Sequence, residues 1–261
     1  MRAVRLFLVT LRISLQNEMA YRTDWFARLA QSLVGIGTTL GAFGIVFSHT
    51  DSLAGWTLDE SVALLGVFYI VTGLIHTICA PNMSLIMRDV RDGTLDFLLL
   101  KPVNSQYYAS IRRIVLFRMT DVALGLIVVS VALRRLAGGI GAVDAILFLV
   151  VLTCGMIVLY SIWLALVTTT FWFVKIVNIE EILWQALEAG RYPIDIYPRW
   201  LQYGLSYLIP IGLVITVPSR GLLGQLDLRG VLAAVALAAG TFAAASAFWR
   251  LGLRRYSGAS A

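Results

Sequence analysis

The sequence predicts an all-α membrane protein with six transmembrane helices, an N-terminal interfacial helix and a cytoplasmic helix between spans 2 and 3. Hydrophobic residues make up 59% of the 261-residue chain and charged residues only 14%, against about 25% charged residues in a soluble domain. Most apolar residues lie in long uncharged runs, which one compact charged segment at 88–96 interrupts. A soluble fold of this size cannot bury so much apolar surface, whereas a bilayer accommodates it.

The apolar runs and the charges between them divide this single transmembrane domain into consecutive segments. These are an interfacial helix at 1–25, spans 1 and 2 within 26–80, a cytoplasmic segment at 81–113, spans 3 and 4 within 114–174, a cytoplasmic amphipathic segment at 175–199, spans 5 and 6 within 200–249, and a cytoplasmic tail at 250–261.

The first two spans follow from uncharged runs, because a spanning helix needs about 20 mostly apolar residues. Residues 29–47 carry no charge and give span 1. Residues 61–87 are also uncharged, but Pro81 lies among them, and a proline inside a helix interrupts it. The sequence therefore predicts span 2 over 61–80, followed by a helix break.

The four later spans are predicted in the same way. Span 3 contains Arg118 and Asp121, which lie three residues apart and can pair on one helix face. Asp121 is the one acidic residue predicted inside a span. The predicted limits are 114–133 for span 3, 145–174 for span 4, 200–219 for span 5 and 231–249 for span 6.

The distribution of basic residues predicts that both termini are cytoplasmic. Six spans place the termini on one side, and 16 Lys and Arg residues fall in segments on that side against four on the other. The cytoplasmic side of a membrane protein carries the excess of Lys and Arg. The loop at 48–60, on the opposite side, has three acidic residues and no Lys or Arg, which agrees with this orientation.

Two segments have amphipathic patterns. Within 1–25, apolar residues recur at helical spacing from Val4 to Leu15, which favours a helix lying along the cytoplasmic leaflet. The alternative is a basic leader that only fixes topology. Within 175–199, five apolar residues share one helical face and acidic residues share the other. The apolar residues are Ile179, Ile182, Leu183, Ala186 and Leu187.

Small residues recur at four-residue spacing in spans 1 and 6. Gly37 and Gly41 form such a pair in span 1, and Gly240 and Ala244 form another in span 6. This spacing lets two helices approach closely. Packing within one chain and dimerisation are both consistent with it.

The chain offers no pattern typical of a metal site or a catalytic site. Cys79, Cys154, His49 and His76 have no ligand at metal-binding spacing, and His76 is expected to be a hydrogen-bonded interior group. No Ser/His or His/Glu constellation lies within the spans, which disfavours an intramembrane enzyme. The net charge is +6, but the basic residues flank apolar runs, so they indicate topology and lipid contact rather than nucleic-acid binding.

The charged segment has the pattern of two short helices joined by a turn. Gly93 permits the turn, and Thr94 is a candidate N-cap for the second helix. Leu95, Leu98 and Leu99 would then share one apolar face. A helix pair of this kind can offer its side chains to a soluble partner. The alternative is an ordinary solvated loop.

The residue string at 91–103, Arg-Asp-Gly-Thr-Leu-Asp-Phe-Leu-Leu-Leu-Lys-Pro-Val, resembles the coupling segment of ABC type-2 exporter permeases. In that family a charged residue, Gly-Thr-Leu, an acid, two leucines and Pro-Val or Pro-Leu follow span 2. The strings at 190–193, 197–200 and 209–210 resemble a bacterial viologen-exporter-type branch. The commoner pattern has a glutamate near the start of the loop, where this chain has Arg88 and Asp89.

The resemblance implies a permease subunit of an exporter, in the bacterial cytoplasmic (inner) membrane, with a coupling helix between spans 2 and 3. It implies a dimer with a second copy or a paralogue, bound to ABC ATPase subunits that hold ATP and Mg. The ATPase-coupling interface would comprise Arg88, Asp89, Arg91, Asp92, Gly93, Thr94, Leu95, Asp96, Lys101 and Pro102.

Two observations from the residues bear on this reading. The only lysines, Lys101 and Lys175, lack the P-loop context of a preceding Gly and a following Ser or Thr, so the chain cannot supply that ATP site. The aromatic, weakly charged spans favour an amphiphilic or hydrophobic substrate. The alternative is an ion-coupled secondary transporter, for which Asp121 would be the candidate coupling residue.

Overall fold

The computed structural model describes residues 2–19, 22–136, 141–173 and 179–256, and these residues are almost entirely helical. No β-strand forms among them, apart from one isolated bridge between Leu53 and Trp56. The helices are α1 (Arg2–Met19), α2 (Arg22–Phe47), α3 (Leu58–Leu74), α4 (Ala80–Arg91), α5 (Asp96–Leu99), α6 (Ser105–Ile111), α7 (Met119–Arg135), α8 (Ala142–Thr168), α9 (Ile179–Ala189), α10 (Arg199–Tyr203), α11 (Val217–Leu222) and α12 (Leu228–Arg255).

Five helical stretches in the described part of the chain are long and apolar enough to cross a membrane. They are Trp25–Phe47, Leu58–Arg91, Leu116–Arg135, Ala142–Phe171 and Leu228–Arg255. They coincide with predicted spans 1, 2, 3, 4 and 6, and α1 forms where an N-terminal helix was predicted. The predicted boundary at 174–175 and the end of the tail beyond Tyr256 lie outside the described residues.

The glycine pairs predicted from spacing do not pack within the described chain. A Cβ built on Gly37, Gly41 or Gly240 would meet no atom within 4 Å. The close approach is instead between α3 and α7, where a Cβ on Gly66 would lie 2.8 Å from the carbonyl oxygen of Gly125. The backbones of these two antiparallel helices therefore touch, and the glycine faces of α2 and α12 stay open.

The helix break predicted at Pro81 does not occur. A π-helical turn, Ile75–Cys79, joins α3 to α4, so the helix continues from Leu58 to Arg91 over 34 residues. Pro81 lacks the N–H that would bond to the carbonyl of Thr77. The backbone N–H of Val115 donates to that carbonyl instead, at 2.9 Å. The prediction failed because this replacement donor comes from 34 residues further along the chain.

Asn82 strengthens the same junction. Its side-chain amide donates to the carbonyl of Arg113 at 2.7 Å and accepts from the N–H of Arg113 at 2.9 Å. Asn82 is fully buried, so this two-way pairing satisfies an otherwise costly polar group. The chain that leads into α7 is thereby attached to the second half of the long helix.

The chain from α9 to residue 196 runs antiparallel along α3. Near its start, the ring of Trp184 stacks on His76 with centroids 4.2 Å apart. At the other end of α3, Trp56 Nε1 donates to a carboxylate oxygen of Asp195 at 2.9 Å. The segment therefore covers the same depth as α3 itself.

Trp56, in the segment 48–60, contacts Asp195, in the segment 175–199. This contact is incompatible with placing the two segments on opposite sides of the membrane. The amphipathic pattern of 179–188 was interpreted as a surface helix. In the structure, Leu183 and Leu187 are buried in the core, and other side chains of the helix border a polar cleft inside the bundle.

Pro210 predicts a kink in span 5, and the structure has a bent pair of helical pieces on either side of it. The pieces Arg199–Tyr207 and Gly212–Leu222 meet at an angle of 76°. Both ends of the pair return to Asp195, since Gln202 Nε2 donates to its carbonyl at 3.1 Å and Arg220 Nη2 lies 2.8 Å from its carboxylate. The pair is therefore a hairpin that begins and ends at one level.

Candidate functional site

The charged segment begins with the turn that the sequence predicted. The helix α4 ends at Arg91, and Gly93 adopts a φ of +69°, the left-handed conformation that favours glycine. The N–H of Thr94 donates to the carbonyl of Asp89 at 2.8 Å, which closes the end of the helix. The prediction of a turn at Gly93 is confirmed.

Thr94 does not have the predicted role of an N-cap. The short helix α5 begins at Asp96, and Leu95 precedes it without a side-chain capping hydrogen bond. The hydroxyl of Thr94 donates to Asp89 Oδ1 at 3.3 Å instead. The polar groups of this turn therefore bond back to α4 and fix the angle between α4 and α5.

The apolar side chains of α5 divide into a buried face and an exposed one. Leu95 and Leu98 are buried and anchor the helix to the bundle, and Leu99 packs partly buried against the core, as predicted. Phe97 and Leu100 are 72% and 81% exposed. Neither was predicted to belong to the site. The sequence did contain a signal for them, because Leu95, Leu98 and Leu99 already form the apolar face and leave these two large apolar residues outside it.

Charged residues surround these two exposed apolar side chains. Arg91 Nε and Asp92 Oδ1 are 3.2 Å apart and both side chains are largely exposed. Lys101 is exposed and hydrogen-bonds to the hydroxyl of Tyr108. Pro102 follows it on the surface, and Asp96 is half-buried. We refer to Arg91, Asp92, Phe97, Leu100 and Lys101 as the tip.

Two residues assigned to the interface lie elsewhere. Asp89 Oδ2 is 2.6 Å from Arg112 Nη1, and both side chains are largely buried, so Asp89 joins α4 to the end of α6. The Nε and Nη2 of Arg112 have no hydrogen-bond partner in the described structure. Arg88 borders a cavity together with Pro81 and Ser84, away from the tip.

The segment is also attached to the last membrane helix. Trp249 Nε1 on α12 donates to the hydroxyl of Ser105 at 3.3 Å. Gln106 Nε2 donates to the hydroxyl of Ser246, also on α12, at 3.0 Å. These bonds hold α6 against α12.

Polar residues also meet inside the bundle. Arg118 Nη1 lies 3.5 Å from Asp121 Oδ2, which confirms the predicted pair, and the hydroxyl of Ser32 donates to Asp121 at 2.5 Å. His76 Nδ1 lies 2.9 Å from the carbonyl of Thr72, so His76 is the hydrogen-bonded interior group that was predicted. No group of three or more potential metal ligands occurs among the described residues.

These helices define a multi-pass membrane protein. The sequence pattern of the family described as "ABC-2 family transporter protein" matches residues 33–260, and the chain therefore belongs to that family. It is a permease, the membrane-spanning subunit of an ABC transporter. No curated protein matches the chain.

Proposed function

We propose that the chain is the permease subunit of an ATP-driven exporter that moves an amphiphilic or hydrophobic substrate out of the cytoplasm. Its membrane would be the bacterial cytoplasmic (inner) membrane, and the viologen-exporter-type branch is the one that its sequence resembles. The observation that carries this proposal is the tip, in which Phe97 and Leu100 are exposed and surrounded by charged residues.

The tip has the composition of a protein-docking surface. Protein interfaces have an apolar centre, often aromatic, within a polar rim. Phe97 and Leu100 would form the centre, and Arg91, Asp92 and Lys101 would set the register through rim charges. The partner would be an ABC ATPase with an apolar groove, and it would hold the ATP and the Mg.

The structure of the segment suits it for coupling. The tip continues directly from the 34-residue helix Leu58–Arg91, and the Asp89–Arg112 ion pair fixes it to α6. When two ATPases close on ATP, they would displace the tip, and the continuous helix would carry the displacement into the membrane. Such a displacement can shift the equilibrium between inward-facing and outward-facing states.

The contacts of Asp195 support a revised topology. Spans 1 to 4 would be followed by 179–196 as the fifth crossing, and the hairpin at 199–222 would enter and leave from the outer side. The helix α12 would be the sixth, with both termini cytoplasmic and α1 on the inner leaflet. Removing Arg191 and Arg199 from the cytoplasmic count leaves the basic excess on that side intact.

A dimer is part of the same proposal. A Cβ on Gly37 or Gly41 of α2, or on Gly240 of α12, would meet no atom of the described chain within 4 Å. Small residues on an open face allow close contact with a second helix in a bilayer. A second copy of the chain, or a paralogue, would complete the translocation path between two permeases.

Co-expression with ABC ATPases from the same genome tests the function. We expect one of these ATPases to co-purify with the permease and ATP to drive transport in proteoliposomes. A permease that transports without the ATPase, and loses transport on Asp121→Asn, would overturn the proposal in favour of the ion-coupled alternative.

Cysteine labelling tests the topology. In a Cys79→Ala/Cys154→Ala background, we expect Thr50→Cys and Arg199→Cys to react with an impermeant maleimide from outside the cell. Leu100→Cys should react only after the membrane is opened. Labelling of residue 199 only from the cytoplasmic side would show that the revised path is wrong.

A further inference from the structure

Three adjoining cavities form one cleft along α3 and α4. Their volumes are about 420, 350 and 320 Å³, from the α1 end of the cleft to its deepest part. The first and the middle cavity share Arg28 and Arg113 in their walls, and the middle and the deepest share His76, Arg118 and Trp184. We refer to this continuous space as the cleft.

The middle cavity of the cleft is strongly cationic. Among the described residues, its wall contains Arg28, Arg88, Arg113 and Arg118 and no Asp or Glu. Arg118 pairs with Asp121. The side chains of the other three make no hydrogen bond or ion pair with a described residue, so an excess of positive charge surrounds an open space.

Acidic residues lie at both ends of the cleft rather than in its middle. Glu18 borders the first cavity and accepts the N–H of Phe117 at 3.0 Å. Glu188 borders the deepest cavity, where its Oε2 lies 2.5 Å from Arg191 Nη2. Glu188 is paired with Arg191, and the charges of Arg28 and Arg113 act on Glu18. Glu18 therefore offsets only part of the charge of the three arginines, and a positive excess remains.

The three unpaired arginines come from different parts of the chain and converge on one level. Arg28 lies near the start of α2, Arg88 on α4, and Arg113 after α6. Guanidinium groups within or beside a membrane are costly unless they pair with anions. Their fork of N–H donors matches the oxygens of phosphate and carboxylate groups.

Part of the wall beside these arginines is aromatic and apolar, although the deepest cavity is lined mainly by polar side chains. Trp184 stacks on His76 and also packs edge-on against Trp163, with ring centroids 5.2 Å apart. Leu85 and Ala80 continue the apolar wall of the middle cavity. A ligand that fits the middle cavity therefore has an anionic end at the arginines and an apolar part against Trp184, Leu85 and Ala80.

We propose that the cleft binds an amphiphile with an acidic headgroup, a phosphate or a carboxylate, and that Arg28, Arg88 and Arg113 hold the headgroup. This inference rests on the proposed export function and names the substrate class. It opposes the permanently cationic cargo that a viologen-exporter-type resemblance suggests, because a dication would meet three unpaired arginines. The ligand comes either from the inner leaflet, as an acidic lipid, or from the cytoplasm, as a soluble amphiphile.

Binding to the permease alone tests the site without the ATPase. The permease would be placed in phosphatidylcholine nanodiscs and titrated with dodecyl phosphate or dodecyltrimethylammonium, with empty nanodiscs subtracted. We expect dodecyl phosphate to bind at least about tenfold more tightly, since charge-assisted bonds to arginine are worth about 1.5–3 kcal/mol. Equal affinities, or tighter binding of the cation, would overturn the proposal.

Matched variants locate the site. The triple change Arg28→Gln/Arg88→Gln/Arg113→Gln should weaken dodecyl phosphate binding by about tenfold or more. A control with three other cytoplasmic arginines replaced, Arg5→Gln/Arg12→Gln/Arg254→Gln, should change it by less than about twofold, because surface charges contribute little.

A single variant keeps the test valid if the triple variant does not fold. Arg88 is exposed, so Arg88→Gln should leave the fold intact and still weaken dodecyl phosphate binding about threefold or more. Binding that is unchanged in Arg88→Gln, and in the triple variant where it folds, would contradict the site.

The source of the ligand is decided by adding phosphatidylglycerol to the nanodiscs. If phosphatidylglycerol occupies the cleft, it should weaken dodecyl phosphate binding in the wild type and not in the Arg88→Gln variant. If phosphatidylglycerol changes the affinity of neither protein for dodecyl phosphate, the soluble amphiphile is the ligand. These titrations fail or succeed independently of ATPase co-purification, so the export proposal and the substrate class can be refuted separately.

Discussion

The tip and the cleft both carry arginines, but the surroundings of these arginines differ. At the tip, Arg91 pairs with Asp92 in solvent, and the unusual feature is the exposure of Phe97 and Leu100. In the cleft, the unusual feature is that the described wall of the middle cavity contains four arginines and no Asp or Glu. The tip is therefore suited to bind by burying apolar surface, and the cleft is suited to bind by charge.

The largest expected effect tests the apolar half of this comparison. Phe97→Asp/Leu100→Asp should lower ATPase affinity by about 4 kcal/mol, or roughly a thousandfold, because each change removes a central apolar contact. Pull-down with the ATPase measures it. Leu228→Asp, which replaces an equally exposed leucine on α12, is the control. The wild type, the double variant and the control should bind dodecyl phosphate with the same affinity. If the double variant lost affinity for dodecyl phosphate as well as for the ATPase, the tip and the cleft would not be separate sites.

The next effect concerns the ion pair that positions the tip. Asp89→Asn leaves Arg112 largely buried without its charge partner, and we expect a loss of about 2 kcal/mol of unfolding free energy. Thermal unfolding in detergent checks this. Asp89→Leu/Arg112→Met should recover most of the loss, because replacing both partners removes the unpaired charge. A double variant no more stable than the single one would mean that the pair does not act as described.

A smaller effect is expected at the turn. Gly93→Val should cost about 1–2 kcal/mol, because a β-branched residue disfavours the left-handed φ. Gly93→Asn should cost less, since Asn tolerates this conformation. The ATPase affinities of both variants are measured beside the wild type. They separate the effect of backbone strain from the effect of adding a side chain. Equal behaviour of Val and Asn would argue against a role for the backbone angle.

The smallest effect lies at the rim of the cleft. Burial raises the pKa of Glu18, while the N–H of Phe117 and the charges of Arg113 and Arg28 oppose this rise. The raised pKa means that protonation favours the docked helix α1. This contribution is complete below the ordinary pKa of Glu18 and is lost as pH rises through the raised value.

A nitroxide at Leu15→Cys reports the docking of α1. Its mobility should increase slightly as pH rises through the raised pKa, and Glu18→Gln should remove the change. Glu181→Gln, an exposed glutamate elsewhere, should keep it. A pH response that persists in Glu18→Gln would assign the titration to another group.

The sequence predicted the elements whose signal is local. Five spanning stretches follow from uncharged runs, and the turn at Gly93 follows from the residue type. The path of 179–196 could not be predicted from the sequence, because an amphipathic helix beside a polar cleft has the same residue pattern as one on a membrane surface. Pro81 was misjudged because its missing hydrogen bond is replaced from Val115, a partner that no local pattern reveals.

The candidate site divides in the same way. The side chains of Arg91, Asp92 and Lys101 are exposed, as their spacing suggested. Asp89 and Arg88 lie only two and three residues before Arg91, yet Asp89 pairs with Arg112 and Arg88 borders the cleft. The cleft depends on residues from α2, α4 and the chain after α6. Their proximity is a product of the tertiary fold, so residue spacing could not predict it.

The π-helical turn at Ile75–Cys79 sets the angular phase of the long helix. Each residue of an α-helix advances it by about 100°, so one inserted residue rotates everything beyond it by that angle. Ile86 and Val90 face the core and Arg88 faces the cleft in this phase. A one-residue deletion within 75–79 would keep the helix and its composition, yet turn its cytoplasmic half out of register. The inserted residue thus allows one continuous helix to present its cytoplasmic half to the core and the cleft in this orientation.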